Sequence, residues 1–263
     1  MIFSLALLDK KRGILRVKRS KLSQILAGVL VNAVYEMKNY PVVLISSVIA
    51  PLSLLFVITF VSNGTLLGAA IEGGLIMVFF SSGIALQSDL AHLKNDFKLQ
   101  DMIVSSPTSA RMYMAGMALA EIIYSLPAIV ILVALAGIYL HPNLVQIAIL
   151  SIVLLLMFAV SVAIGFMLST FSSDVVQSYA FSRLLSLLFA TLPPVYYPIS
   201  YVPVPFNYLA YLSPTTYAAE IMHSATGYLN LSTNMLILDW AVLLVVCAVI
   251  LFIAVKKTKW RET

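Results

Sequence analysis

Two charged residues stand alone inside long apolar runs: Glu121, in MALAEIIYSLPAIV, and Arg183, in QSYAFSRLLSLLFA. If those runs cross a bilayer, each ionised group costs about 3 kcal/mol on insertion scales, so such residues normally face a bundle interior and pair. Glu121 lies ten residues beyond Arg111, and Arg183 nine beyond Asp174. At 1.5 Å rise per residue each sits roughly 14–15 Å from its edge, near the middle of a ~30 Å core. The expectation is that they face each other or a shared polar pathway. The alternatives are Arg183 snorkelling to the edge and Glu121 protonated or capped by a hydroxyl.

No other side chains assemble a reaction centre. GxxxxGK[ST] is absent, so the sequence has no phosphate-cradling loop of its own and ATP binding in this chain is not expected. His92, His141 and His223 fall in three different connections, with no HExxH or Cys/His spacing to join them. They are expected to be interfacial or hydrogen-bonded. No serine sits in GxSxG, and only Glu121 and Arg183 are expected to lie deep. The single cysteine, Cys247, excludes an intrachain disulfide and makes a metal cluster improbable. The residues therefore point away from catalysis.

A second group of charges is concentrated in Lys94–Arg111, KNDFKLQDMIVSSPTSAR, an island between two apolar stretches. Leu99, Met102 and Ile103 recur at i, i+3 and i+4 and would fill an apolar groove, while Asp96, Lys98 and Asp101 would set register by charge. The plain alternative is a solvated loop.

The elements around these groups follow from composition. Of 263 residues, 61% are hydrophobic and 10% charged, against roughly 25% charged in an ordinary soluble domain. Mean hydropathy is +1.01. This composition implies an all-α polytopic membrane protein forming a single transmembrane domain over 1–263. MIFSLALL is apolar from its first residue and is followed by DKKRG, so a cleavable signal is not expected.

Residues 10–38 carry a basic run, with Leu22, Ile25, Leu26, Val29 and Leu30 on one helical face. That pattern predicts an amphipathic helix lying in the membrane surface. Six spans follow: Pro41–Val61, roughly Ile71–Ala91, Tyr113–Tyr139, Leu144–Leu168, the shorter Val175–Leu192, and Met235–Val255. Fifteen of the sixteen Lys and Arg lie before span one, between spans two and three, or after span six. The positive-inside rule therefore places both termini and the 94–111 island in the cytoplasm, with the chain in the plasma membrane. The net charge of +5 is explained by that topology, and no nucleic-acid partner is expected.

The connection 193–234 holds six of the eleven prolines and seven of the thirteen tyrosines. Apolar and aromatic residues broken by prolines cannot form one straight helix. Short helices dipping into the outer leaflet are expected, with Tyr196, Tyr197, Tyr201, Tyr208, Tyr211 and Tyr217 as interface anchors. Tyr196, Tyr197, Pro198 and Pro214 are the candidate outer gate. The alternative is an aromatic lid that only seals the bundle.

This pattern resembles the membrane subunits of ABC type-2 exporters, which include drug, polysaccharide and lipid exporters. The resemblance rests on the basic entry helix, the six spans, the charged second connection and the Pro/aromatic hairpin before the last span. It implies that residues 94–111 carry a coupling helix seating in a separate P-loop ATPase subunit. Asp96 then stands at the acidic position, Ile103 at a leucine position, Pro107-Thr108-Ser109 at the turn and Gly116 at the opening of the next span. The Gly-Thr pair usual in that motif is replaced by Lys98 and Leu99. Similarly, Ser213-Pro214 replaces Asn-Pro in the outer motif, and His223 stands near its usual arginine. The resemblance further implies a second permease copy, alike or related, and export of drug-like, lipid-like or glycolipid cargo. The rivals are an ion-coupled carrier or channel, and a membrane-embedded enzyme.

Overall fold

The structure, a computed structural model, describes residues 25–26, 29–39, 41–95, 110–169 and 174–257. The coupling positions Asp96, Lys98, Leu99, Asp101, Met102, Ile103 and Pro107 lie outside the described residues. So does most of the 10–38 helix.

A π turn, Leu30–Val34, leads into α1, Tyr35–Asn39. The long helices are α2, Pro41–Val61; α3, Leu67–Asn95; α4, Ala110–Tyr139; and α5, Leu144–Ser169. Then come α6, Val175–Ser186, with a π turn Leu187–Thr191, and a 3-10 turn Ile199–Tyr201. Two short helices, α7 (Phe206–Ala210) and α8 (Pro214–Thr226), precede α9, Thr233–Lys257. Among the described residues, five helices (α2, α3, α4, α5 and α9) are long and apolar enough to cross a membrane. The expected span Val175–Leu192 divides into twelve α-helical residues and a five-residue π turn, short of the ~20 residues a straight crossing takes.

Local sequence sets the helix ends. Asp174 caps α6, its carboxylate accepting from the amides of Val176 and Gln177 at 2.5 and 3.4 Å. Asn143 and Gln146 form a reciprocal box at the start of α5, at 2.8 and 3.0 Å. The Gln146 amide also donates to the Ala225 carbonyl at 2.9 Å, tying α5 to the end of α8. Gly227, at φ 91, closes α8 in the left-handed conformation.

The bundle is organised around α3, which packs on α2, α4, α5, α6 and α8. Ile71, Ile76, Phe80 and Ile84 are fully buried along it. Lipid tails are as apolar as leucine, so close packing has to hold such a helix in place. At the α3–α5 crossing a Cβ on Gly165 would meet the Gly83 carbonyl oxygen at 2.6 Å, and one on Gly83 would meet the Val162 nitrogen at 2.7 Å. The two backbones touch there, and only glycine fits. Phe79 and Phe158 stack edge to face beside the crossing, centroids 6.3 Å apart. Helices α2 and α9 instead carry exposed apolar rims, including Ile45, Phe56, Phe60, Val245 and Phe252. A rim of that kind is what hydrocarbon covers.

One end of the bundle holds the turns at 62–66, 140–143 and 227–232; the other leads into the 94–111 segment. Helix α8 folds back into the turn end, with Thr215, Thr216, Ala218, Ala219, Ile221 and Met222 buried.

Candidate functional site

A cavity of about 670 Å³ lies between α2, α3, α4 and α6, toward the end that leads into 94–111. Helix α3 contributes Ser81, Ser82, Ala85, Ser88 and Asp89; α4 contributes Glu121, Tyr124 and Ser125; α6 contributes Tyr179, Ser182 and Arg183. Glu121 and Arg183, which the sequence singles out from separate helices, thus line one cavity. Seven of its lining residues are serines.

The serines are spread over four helices, so no linear motif announces them. Three of the seven hydroxyls donate back to their own helix. Ser47 Oγ donates to the Leu44 carbonyl at 2.8 Å, Ser81 to Met77 at 2.5 Å and Ser82 to Phe79 at 3.2 Å. Ser88 and Ser182 share a hydrogen bond of 2.8 Å between α3 and α6, which fixes the wall carrying Arg183. Pro51, inside α2, also lines the space. A proline at that point removes one helix hydrogen bond and loosens the wall locally.

The turn end holds polar groups that sequence reasoning missed. Glu72 and His223 are 0% and 1% exposed, with Glu72 Oε2 and His223 Nδ1 2.6 Å apart. Glu72 Oε1 and His223 Nε2 have no hydrogen-bond partner among the described residues. Glu220 and Asp239 are buried nearby, each 3% exposed. The expectation that only Glu121 and Arg183 lie deep is therefore corrected. Glu72 and Asp239 sit within the first two turns of spanning helices, and α8 packs against both of those helices. Burial, together with the nearby Asp239 carboxylate, pushes the Glu220 carboxyl up to about 7, against the lowering effect of its hydrogen bond from Tyr211 Oη at 3.2 Å.

The gate residues separate into two environments. Tyr196, expected as an interface anchor, is 3% exposed and its hydroxyl donates to the Met77 sulfur at 2.8 Å. A Cβ on Gly73 would meet the Tyr196 Cα at 2.6 Å, so the chain at 195–196 lies directly on α3. Pro198 and Pro214 are buried too, and Tyr197 is half-buried. Tyr201 and Tyr208 are exposed, as an interface anchor needs to be. Tyr217 is half-buried and donates to the Tyr211 carbonyl at 2.9 Å. His223 is hydrogen-bonded, as expected of these histidines, while His141 is exposed in its turn and His92 lies outside the described side chains.

Comparison with curated proteins finds no significant match. The family described as ABC-2 type transporter matches residues 24–226, from ahead of the first π turn through the last residue of α8. That match takes in every helix lining the cavity and the α8 helix that closes the turn end. It covers more than three quarters of the 263 residues, and the chain belongs to the ABC-2 type transporter family, whose members are the membrane components of ABC transporters.

Proposed function

We propose that this chain is the transmembrane subunit of an ATP-driven exporter. Two copies, or this chain and a related one, enclose the translocation path, and separate P-loop ATPases drive it through residues 94–111. The observation that carries the reading is the cavity that gathers Glu121, Arg183 and seven serines inside a membrane component of this family. A polar space among spanning helices stabilises charges that hydrocarbon would reject. Its lining lies in the half of the bundle nearer the end that leads into 94–111. In this reading 1–263 is one transmembrane domain with both termini cytoplasmic in the plasma membrane, and α6 with its π turn completes a sixth crossing. ATP is bound by the partner and not by this chain. Cargo is drug-like, lipid-like or glycolipid.

The coupling segment supplies the test. Leu99→Asp, Met102→Asp and Ile103→Asp should each weaken capture of a P-loop ATPase partner and abolish cargo-stimulated ATP hydrolysis, leaving the permease monodisperse. Unchanged association and transport in all three rejects coupling through 94–111.

A second reading, an ion-coupled carrier, draws on the buried Glu72–His223 pair and on Glu220 and Asp239, since buried ionisable groups mark proton relays in carriers. Transport in vesicles with ATP but no ion gradient separates the two.

A further inference from the structure

We infer that Tyr196 and Met77 form the barrier that closes the cavity toward the turn end, and that a path opens there when the Tyr196 ring leaves the Met77 sulfur. Calling this barrier the outer gate of an exporter rests on the reading above; its place in the fold does not.

The first observation is where the cavity stops. Along α3 its lining runs from Asp89 to Met77, roughly 18 Å of helix at 1.5 Å per residue. Beyond Met77, toward the turn end, every α3 residue from Gly68 to Ile76 is buried. Protein packed directly on α3 therefore ends the space.

Part of that covering is the strip 193–196, in which Pro193, Pro194, Val195 and Tyr196 are all buried. A Cβ on Gly73 would collide with the Val195 carbonyl oxygen, so the strip touches the helix backbone one turn beyond Met77. Its two prolines have no N–H to satisfy, which suits irregular backbone at a depth where such groups need a partner. The chain just before the strip is fastened as well. Phe189 packs on Phe80 with ring centroids 5.9 Å apart, and its carbonyl accepts from Thr215 Oγ1 of α8.

Met77 belongs to both sides of this boundary. It lines the cavity, and its sulfur accepts the Tyr196 hydroxyl at 2.8 Å. Among the described residues this is the hydroxyl's one hydrogen bond. A thioether is a weak acceptor, and a methionine side chain is unbranched and adaptable. The contact therefore closes the space without locking it. A molecule filling the cavity meets Met77 at this end, and through it Tyr196.

The test uses the full chain with Cys247→Ala in liposomes, and a membrane-impermeant methanethiosulfonate added to one side at a time. Ala85→Cys reports on the cavity, and Thr65→Cys marks the turn end. From the turn-end side, Ala85→Cys should react slowly, because a close-packed barrier admits no reagent. Tyr196→Ala should raise that rate by about tenfold or more, with the rate from the opposite side unchanged. Tyr196→Phe and Met77→Leu, which remove the hydrogen bond and nearly keep the volume, should each raise it by about threefold. Tyr201→Ala, at an exposed tyrosine of the same connection, should leave it as it was. If Tyr196→Ala does not fold, the two conservative variants carry the test. A turn-end rate that no variant of Tyr196 or Met77 changes overturns the inference. So does a rate that rises equally from both sides, which is general loosening of the bundle. In cells, labelling of Thr65→Cys from the cytoplasm alone would invert the orientation and remove the exporter reading, while leaving the barrier in place.

Discussion

His223 of α8 and Glu72 of α3 form a buried contact, Nδ1 to Oε2, of 2.6 Å, 151 residues apart in sequence. It fastens the folded-back helix to the helix around which the bundle is built. Tyr228, just beyond α8, reinforces it by resting on Gly68, one turn before Glu72, where a Cβ would collide with its ring. Removing one partner leaves the other polar, buried and unpaired, which costs about 3–5 kcal/mol for a charged pair. Glu72→Ala and His223→Ala should each lower the thermal unfolding temperature of the purified protein markedly. The double variant Glu72→Leu/His223→Leu should recover much of that loss, because an apolar pair leaves nothing unsatisfied. A double variant that unfolds as early as the singles would show that the contact does not govern the docking of α8.

The α3–α5 crossing makes a sharper demand on side-chain size. Gly83→Ala would press a methyl against the Ser161 side chain and the Val162 amide, and Gly165→Ala against the Gly83 carbonyl. Both obstacles are backbone or tightly packed, so about 1–3 kcal/mol of overpacking strain is expected from each. Gly137, on α4, has nothing within 4 Å of its Cβ position. Gly137→Ala should be neutral or stabilising by roughly 0.5–1 kcal/mol. Unfolding of the three variants side by side checks the contrast.

Much of this bundle was legible before any coordinates. Runs of about twenty apolar residues must satisfy their backbone internally, so they become helices with definable ends. The hidden part is tertiary. Helix α3 is central because Gly73, Gly83 and its small neighbours admit other backbones, yet by hydropathy alone it reads as one span among several. Glu72 and Asp239 each follow a helix start closely, and the sequence reading passes over both; what buries them is α8, a contact between distant segments. The spacing of Glu220 and His223, three apart and so on one side of α8, was the signal that this helix has a polar partner to meet. Tyr196 was misread for a similar reason. An aromatic residue between prolines looks like an anchor until the chain around it is seen resting on Gly73.

Glu220 should make stability depend on pH near neutrality. Burial, and then the Asp239 carboxylate, push its folded-state carboxyl up to about 7, above the ordinary value of 4.5. The folded protein therefore binds more protons than the unfolded chain between those values, and this group's contribution to stability falls as pH rises through 7. Asp239, Tyr211 and Tyr217 surround it. Unfolding followed from pH 5.5 to 8 should show stability declining with pH, and Glu220→Gln should flatten that decline. An equal slope in both proteins assigns it to other groups.

Orientation is open to a direct chemical test. In a Cys247→Ala background, single cysteines at Ser105 and Thr258 should react with membrane-impermeant thiol reagents only from the cytoplasm, and one at Thr65 only from outside. Thr65 lies exposed in the 62–66 turn, so its accessibility is not limited by packing. Labelling of Ser105 from outside would invert the bundle and remove the motor from 94–111.

The last prediction concerns Glu121 and Arg183, which line one cavity from α4 and α6. Each helix places its charge about two to three turns in from the end nearest the 94–111 segment, so hydrocarbon alone would not stabilise either. No hydrogen bond or ion pair joins them directly, so any mutual compensation acts across the cavity they share. Glu121→Arg sets two like charges in that space, and Arg183→Glu joins a second carboxylate to Glu121 beside Asp89. Each single exchange should therefore impair folding or transport by tenfold or more. The double exchange Glu121→Arg/Arg183→Glu keeps the total charge and should recover most of the loss. Transport in vesicles reports function, and size-exclusion profiles report assembly. If the double variant is as poor as the worse single one, the two charges act independently, and Arg183 is stabilised by another part of the lining.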